Sequence, residues 1–388
     1  MSYYLHAAKF FLKNHVKNNG YLTITDDGLF SDYYPDTWQP TGKVVDYSNN
    51  WIAPGLVDTH IHGLLGYDVM DNDLASLQVM ANGLLKAGVT SWLPTTLTAS
   101  FAQINNVCQL IAAHHDELHG AKIQGIHLEG PYFTAEHKGA QDPQYLRDPN
   151  WHEVQQWQAS AQGLIKKIAI APERLHAVSF TKKAVANGIT VALGHSSATY
   201  EQAMACVNAG ASVFTHTFNG MPEFAHRQPG MVGAALSTDL VDDEIICDGH
   251  HNSPVAVQIL INTKTPEHVA LVTDCMRAGM MPDGDYMLGE LPVYVKDGMA
   301  RLKNGNNLAG SILQLKDAVK NIVDWNLVTP QQALMMASYV PAKSVNIDDK
   351  CGVILPGRAA DFIVLQPDMS LVATYLDGVL CYQNNFGG

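Results

Sequence analysis

Residues 51–63 read WIAPGLVDTHIHG and place His60 and His62 one residue apart, directly after an apolar run. Side chains alternate along a strand, so Asp58, His60 and His62 face the same way if this stretch is extended. Buried polar groups on one face need partners, because an unpaired one costs free energy. A divalent metal ion satisfies two imidazoles at once. Further along, IQGIHLEGP supplies His127 and Glu129, VALGHSS supplies His195, SVFTHTFNGMP supplies His216 and HVALVTDC supplies Asp274. Nitrogen and oxygen donors without thiolate suit Zn2+, or Fe2+, in an open catalytic site better than in a closed structural one.

A single histidine at a strand end is ordinarily a hydrogen-bonded core or surface residue. The recurrence of such donors at the ends of successive strands is what points to a metal. His127 is read as a support packed beneath the site, and His114, His115 and His119 as solvated residues of a helix and its exit.

The elements that must bring these residues together share a local grammar. A helical pattern ends in Gly and a β-branched run follows at once, as in LLKAGVTSWLP around Gly88 and CVNAGASVFTH around Gly210. Gly suits the left-handed residue that ends a helix, and the Val, Ile and Thr after it favour a strand. Strands are expected near 56–62, 89–94, 122–129, 165–170, 189–195, 212–217, 244–248 and 268–274, with amphipathic helices between most of them. Alternating β and α implies a parallel sheet covered by helices, and donors at many strand ends favour a (β/α)8 TIM-like barrel. A flavodoxin-like or Rossmann sheet is the alternative, but no G-x-G-x-x-G fingerprint follows a strand. The two ends read as short strands broken by turns, so the chain is divided into three parts. Residues 1–50 and 350–388 build a small β-sandwich domain, and 51–349 form the barrel between them.

With 47% hydrophobic and 16% charged residues over 388 positions, the chain is globular. A formal charge of −13 argues against a nucleic-acid surface. The scattered cysteines form no C-x-x-C pair, and no apolar run is long enough for a membrane span, so a cytoplasmic protein with reduced thiols is expected.

D-x-H-x-H after the first strand, followed in order by H-L-E-G-P, G-H-S, H-x-x-N and T-D, resembles the amidohydrolase superfamily. Within it the sequence is most similar to the family of N-acetylglucosamine-6-phosphate deacetylases. The likeness continues through DGHH (248–251), LAGS (308–311) and PGRAADFIVL (356–365). It implies a metal-dependent hydrolase that releases acetate from a phosphorylated N-acetyl amino sugar, with metal-bound hydroxide as nucleophile. Glu129, His195 and His216 would bind the catalytic metal, most simply Zn2+, and Asp274 would be general base and acid. Retention of His60 and His62 allows a second metal bridged by Glu129. Ala140, Asn219, Gly220, Leu308, Ala309 and Gly310 would contact the sugar. Arg227 and His251 would clamp the phosphate, with Arg227 reaching the neighbouring active site of a homodimer. Thr217 and Gly220 stand where Leu and Ala are usual, and Gln141 where some members carry His, which implies an altered fit in the sugar pocket.

Three rivals are distinguishable. Cyclic-amide hydrolases bridge their metals with a carbamylated Lys, whereas here Glu129 takes that role one strand earlier. A deacetylase for the galactosamine epimer differs at one hydroxyl. A non-catalytic sugar-phosphate-binding barrel has no use for a proton carrier such as Asp274.

Overall fold

The computed structural model describes residues 2–384 apart from 14, 240 and 306; the remaining residues of the two terminal segments lie outside it. Eight parallel strands follow one another around the central sheet. We number them β1 (Leu56–Ile61), β2 (Val89–Thr96), β3 (Ile126–Tyr132), β4 (Ile165–Ile170), β5 (Thr190–Leu193), β6 (Val213–Phe214), β7 (Asp242–Ile245) and β8 (Val269–Leu271). The sheet closes where the end of β8 meets β1, through Asp274 N–H to the His60 carbonyl at 2.8 Å and His62 N–H to the Cys275 carbonyl at 2.9 Å. Asp58 reinforces that seam from inside, accepting from Thr273 Oγ1 at 2.7 Å and from the His60 amide at 3.2 Å. It is a seam residue, and the two histidines beside it are left to face the barrel mouth.

Each strand is followed by a helix, from Leu74–Leu85 after β1 to Leu315–Asp324 after β8. The turns are those the composition dictates. Gly88 at φ 74° ends one helix and feeds β2, and Gly188 at φ 76° does so before β5. Capping boxes Ser100–Gln103 and Thr199–Gln202 start the helices Phe101–His114 and Tyr200–Asn208 that follow β2 and β5.

Two strands differ from the expected ones. The stretch 122–129 splits, because Lys122–Ile123 pairs with β2 while Ile126 begins β3. The seventh strand is Asp242–Ile245, earlier than 244–248. It begins with a run of three carboxylates, Asp242, Asp243 and Glu244, and all of them are buried. Asp242 meets His268 at 2.8 Å, Asp243 meets Lys264 at 3.1 Å, and Glu244 is paired with Lys167. Each buried carboxylate thus has a basic side chain against it, as burial of such groups requires.

Both termini build one seven-stranded sheet. It folds over its own core, so that Phe30 reaches Phe362, four strands away, at 6.1 Å between ring centroids. Two layers thus enclose the apolar residues of a sandwich. One of its strands, Lys43–Pro54, runs past residue 50 and leads directly into β1. Lys122 fastens this domain to the barrel through Asp361 at 2.9 Å and Asp377 at 2.7 Å.

A third sheet was not expected. Gly284–Leu288, Leu291–Lys296 and Met299–Leu302 form an antiparallel meander between β8 and its helix. It packs Leu288, Val293 and Ala300 against Leu97 and Met276 beside the barrel mouth.

Candidate metal centre and active site

The C-terminal ends of β1, β3, β5, β6 and β8 bring His60, His62, Glu129, His195, His216 and Asp274 to one place. Two overlapping pockets of donor atoms result: His60, His62 and Asp274 form one, and Glu129, His195 and His216 the other. Glu129 stands between them. Its Oε1 lies 3.2 Å from His60 Nε2, 3.3 Å from His195 Nε2 and 3.2 Å from His216 Nε2. Its Oε2 lies 3.2 Å from His62 Nε2. Asp274 Oδ1 is 3.1 Å from His62 Nε2 and 3.7 Å from His60 Nε2.

The backs of the rings fix their chemistry. His62 Nδ1 faces the Thr95 carbonyl at 3.1 Å, His195 Nδ1 the His137 carbonyl at 2.9 Å, and His216 Nδ1 the Asn219 carbonyl at 3.1 Å. A carbonyl only accepts, so each Nδ1 carries a proton and Nε2 is the ring atom turned inward to the cluster. His195 Nε2 and His216 Nε2 are 3.1 Å apart. Two lone pairs at that distance repel unless a proton or a cation sits against both. His60 Nε2, fully buried, makes no hydrogen bond. Converging nitrogen donors and a carboxylate between them therefore fit a divalent cation.

Electrostatics agree. Burial alone would push His60 down, but Glu129, Glu244 and Asp274 outweigh it and raise it to about 9. His62 is held well above its ordinary value against burial by Asp274 and Glu129. Burial would raise Glu129, yet the surrounding imidazoles hold it well below the usual carboxylate range. Asp274 is likewise lowered, burial being overcome by His62 and His60. The pocket takes up positive charge, whether as protons or as metal.

Local backbone follows the same demand. His195, His216 and Asp274 sit at φ 46°, 30° and 48°, a region that non-glycine residues enter at a cost of roughly 1–3 kcal/mol each. Strain of this kind persists where surrounding structure holds a side chain in one direction.

Above the cluster opens a cavity of about 330 Å³, the size class of small-ligand sites. Ala140, Asn219, Gly220, His251, Leu308 and Gly310 line it together with Glu129, His62, His195, His216 and Asp274. Ala309 does not; it is fully buried and packs in the core under the meander. Its neighbours Leu308 and Gly310 face the cavity, and Gly310 at φ 61° turns the chain between them and Ser311. Arg227 lies on an exposed turn closed by Gln228 N–H to the Ala225 carbonyl, outside the lining of its own chain's cavity. His251 donates from Nδ1 to Asp248 at 2.7 Å, and Asp248 is lowered in turn because His251 outweighs burial.

The sequence singles out Gln141 only for the fit of the sugar pocket, and other residues at the cavity not at all. Gln141 donates to Glu129 Oε2 at 2.6 Å and accepts from the Thr98 amide at 2.8 Å. Glu136, His137, Leu288 and Asn307 also line the wall. Gln141 stands out in the sequence only as an unusual residue in KGAQ, and the others carry no signal of their own. His127, expected beneath the site, is fully buried edge-on to His60 at 4.7 Å. Burial and the Lys167 ammonium push it well below its ordinary value, so it stays neutral there.

Comparison with known proteins adds an independent line. The chain is 38% identical over 362 residues to the N-acetylglucosamine-6-phosphate deacetylase of Vibrio furnissii, covering 93% of this chain and 90% of the relative. It is 38% identical over 339 residues to the N-acetylgalactosamine-6-phosphate deacetylase of Escherichia coli O157:H7, covering 87% and 89%. The crystal structure of N-acetylglucosamine-6-phosphate deacetylase from Pasteurella multocida superposes with a TM-score of 0.92 at 28% identity, over 99% of this chain and 100% of that one. A mutant Mycobacterium smegmatis N-acetyl-D-glucosamine-6-phosphate deacetylase, in complex with N-acetyl-D-glucosamine-6-phosphate, gives 0.91 at 28%, over 98% and 100%. The amidohydrolase family pattern matches residues 51–381, and with the barrel, its strand-end donors and these relatives together, the chain belongs to the amidohydrolase family of hydrolases.

Proposed function

We infer that this chain is a metal-dependent deacetylase that hydrolyses the acetamide of N-acetyl-D-glucosamine 6-phosphate to D-glucosamine 6-phosphate and acetate. The observation that carries the reading is the convergence of four inward Nε2 atoms on Glu129 and Asp274 at the floor of a cavity. The Vibrio and Pasteurella relatives, named for this activity, support the substrate.

In this reading Glu129, His195 and His216 would hold one divalent cation, Zn2+ before Fe2+, and His60 and His62 would hold a second together with Glu129. A cation held there polarises an amide carbonyl and lowers the pKa of water from about 15.7 to about 7. The proton's path belongs to Asp274. His62 and His60 keep it ionised despite burial, so it begins as the acceptor of the attacking water's proton. It then delivers that proton to the departing amine, one carboxylate serving both steps. Ala140, Asn219 and the backbone of Gly220, Leu308 and Gly310 surround the sugar. His251, oriented by Asp248, faces the phosphate. Arg227, on its exposed turn, completes the clamp by reaching the neighbouring active site in a homodimer. The cytoplasm is the compartment that suits the free thiols of all six cysteines.

N-acetyl-D-galactosamine 6-phosphate is the second reading, carried by the Escherichia coli relative at equal identity. Among the described residues no helix is long and apolar enough to cross a membrane. The deciding experiment is acetate release from both epimers, with and without chelator, beside metal analysis. Chelator-sensitive release that is faster from the glucosamine epimer is expected. Release that survives complete metal removal sinks the mechanism, and a faster galactosamine epimer replaces the substrate.

A further inference from the structure

Below the cation pockets the barrel carries an ion pair that the hydrolytic chemistry does not use. Lys167, on β4, and Glu244, on β7, are both fully buried, and the ammonium of one meets Oε1 of the other. Buried Lys and Glu are rare, and desolvating such a pair costs several kcal/mol per ion, so apolar packing would have closed the barrel floor at least as well. The pair does have one further contact. Glu244 Oε2 lies 3.1 Å from His60 Nδ1.

That contact distinguishes His60 from the other imidazoles of the cluster. His62, His195 and His216 each back onto a backbone carbonyl. Only His60 backs onto a full negative charge, and Lys167 neutralises that charge from the far side. A carboxylate behind an imidazole fixes which nitrogen bears the proton and strengthens the other as a ligand. Lys167 also keeps the region from holding Glu129, Asp274 and Glu244 around one histidine with no fixed cation. It lies below the cavity and does not line it.

We propose that the Lys167–Glu244 ion pair is a positioning device for the inner cation position. It holds His60 as a fixed, strong donor so that the His60–His62–Asp274 pocket fills alongside the Glu129–His195–His216 pocket. The inference rests on reading the cluster as a metal centre. Neither Lys167 nor Glu244 touches substrate.

The test is a titration of the chelator-stripped full chain with Co2+, followed by absorbance, with ions per chain counted by elemental mass spectrometry. Wild type binds two ions. The balanced variant Lys167→Met with Glu244→Gln keeps an acceptor for His60 Nδ1 and strands no charge. It retains the first ion at unchanged affinity and binds the second 10- to 100-fold more weakly. If that variant does not fold, Lys167→Gln with Glu244→Gln, which also strands no charge, is read by the same titration and shows the same loss. Two ions bound as tightly as in wild type overturn the proposal and leave the pair as core packing. A wild-type chain that saturates at one ion overturns it too, while leaving the metal centre standing. A wild-type chain that binds no ion overturns the metal centre itself and this inference with it.

Discussion

The side-chain amide of Gln141 lies 2.6 Å from Glu129 Oε2, while its carbonyl oxygen accepts from the Thr98 amide at 2.8 Å. That arrangement fixes which end of the amide faces the carboxylate, and it places a neutral donor against the residue that joins the two cation pockets. Gln141 is buried, so Gln141→Leu strands the Thr98 N–H and removes a donor from Glu129. The expected loss is roughly 1–3 kcal/mol of stability, read as a lower unfolding midpoint of the metal-loaded chain. Gln141→Glu should be worse than Leu in metal-free protein, because two carboxylates would then compete at hydrogen-bond distance. Midpoints that rank the two variants the other way contradict this account of the contact.

Asp274→Asn separates proton transfer from metal binding. Asn keeps an oxygen beside His62 but cannot carry the proton. We expect turnover to fall by roughly 10²–10⁴-fold with the number of ions per chain unchanged. Near-normal turnover would remove Asp274 from the mechanism, and loss of metal without a separate fall in kcat would recast it as a ligand only.

How far these residues could be seen in the sequence depended on whether their signal was local. Gly88 and Gly188 each end a helix and open a strand within a few positions, so the β/α alternation was legible. The donors of the cluster were legible because strand-end positions collect at one mouth once the sheet closes. The support beneath them was not. All of Asp242–Ile245 is buried, and alternation within so short a strand does not say which carboxylate faces inward. Only packing decides that Asp243 turns out to Lys264 and Glu244 turns in to Lys167 and His60. Ala309 shows the complementary limit: a motif can mark a loop that lines the cavity while its middle side chain is packed in the core. The meander over 284–302 was missed for another reason. Asp297–Gly298, at φ 51° and 79°, is a type I′ hairpin signal between alternating residues, but no site residue drew attention to it.

Arg227 makes a prediction about assembly as well as binding. Arg227→Ala should raise KM for the phosphorylated sugar by about 10- to 100-fold through loss of a charge-assisted contact. It should leave the unphosphorylated analogue unaffected. If the side chain serves the neighbouring subunit, mixing Arg227→Ala chains with Asp274→Asn chains creates sites that hold both an intact Asp274 and an intact Arg227. Activity at low substrate should then exceed that of either variant alone. Mixtures that only average their parents would place Arg227 in its own chain's chemistry or outside the clamp.

Removing metal should reverse the protein's response to alkaline pH. In the stripped chain His60 is raised from 6.5 to about 9 by its carboxylates against the opposing effect of burial. A histidine with a raised folded value contributes stability that is fully present below its unfolded value and is lost as pH climbs through the folded one. The stripped chain should therefore lose stability between pH 6.5 and about 9, by up to ~3 kcal/mol from this group. With metal bound, the cation replaces the protons around Glu129 and Asp274, and ligation itself strengthens as pH rises because protons no longer compete. Unfolding midpoints measured across that window should fall for the stripped chain and hold or rise for the loaded one. Parallel curves would mean that the carboxylate cluster is neutralised by something other than the Nε2 protons and the metal that displaces them.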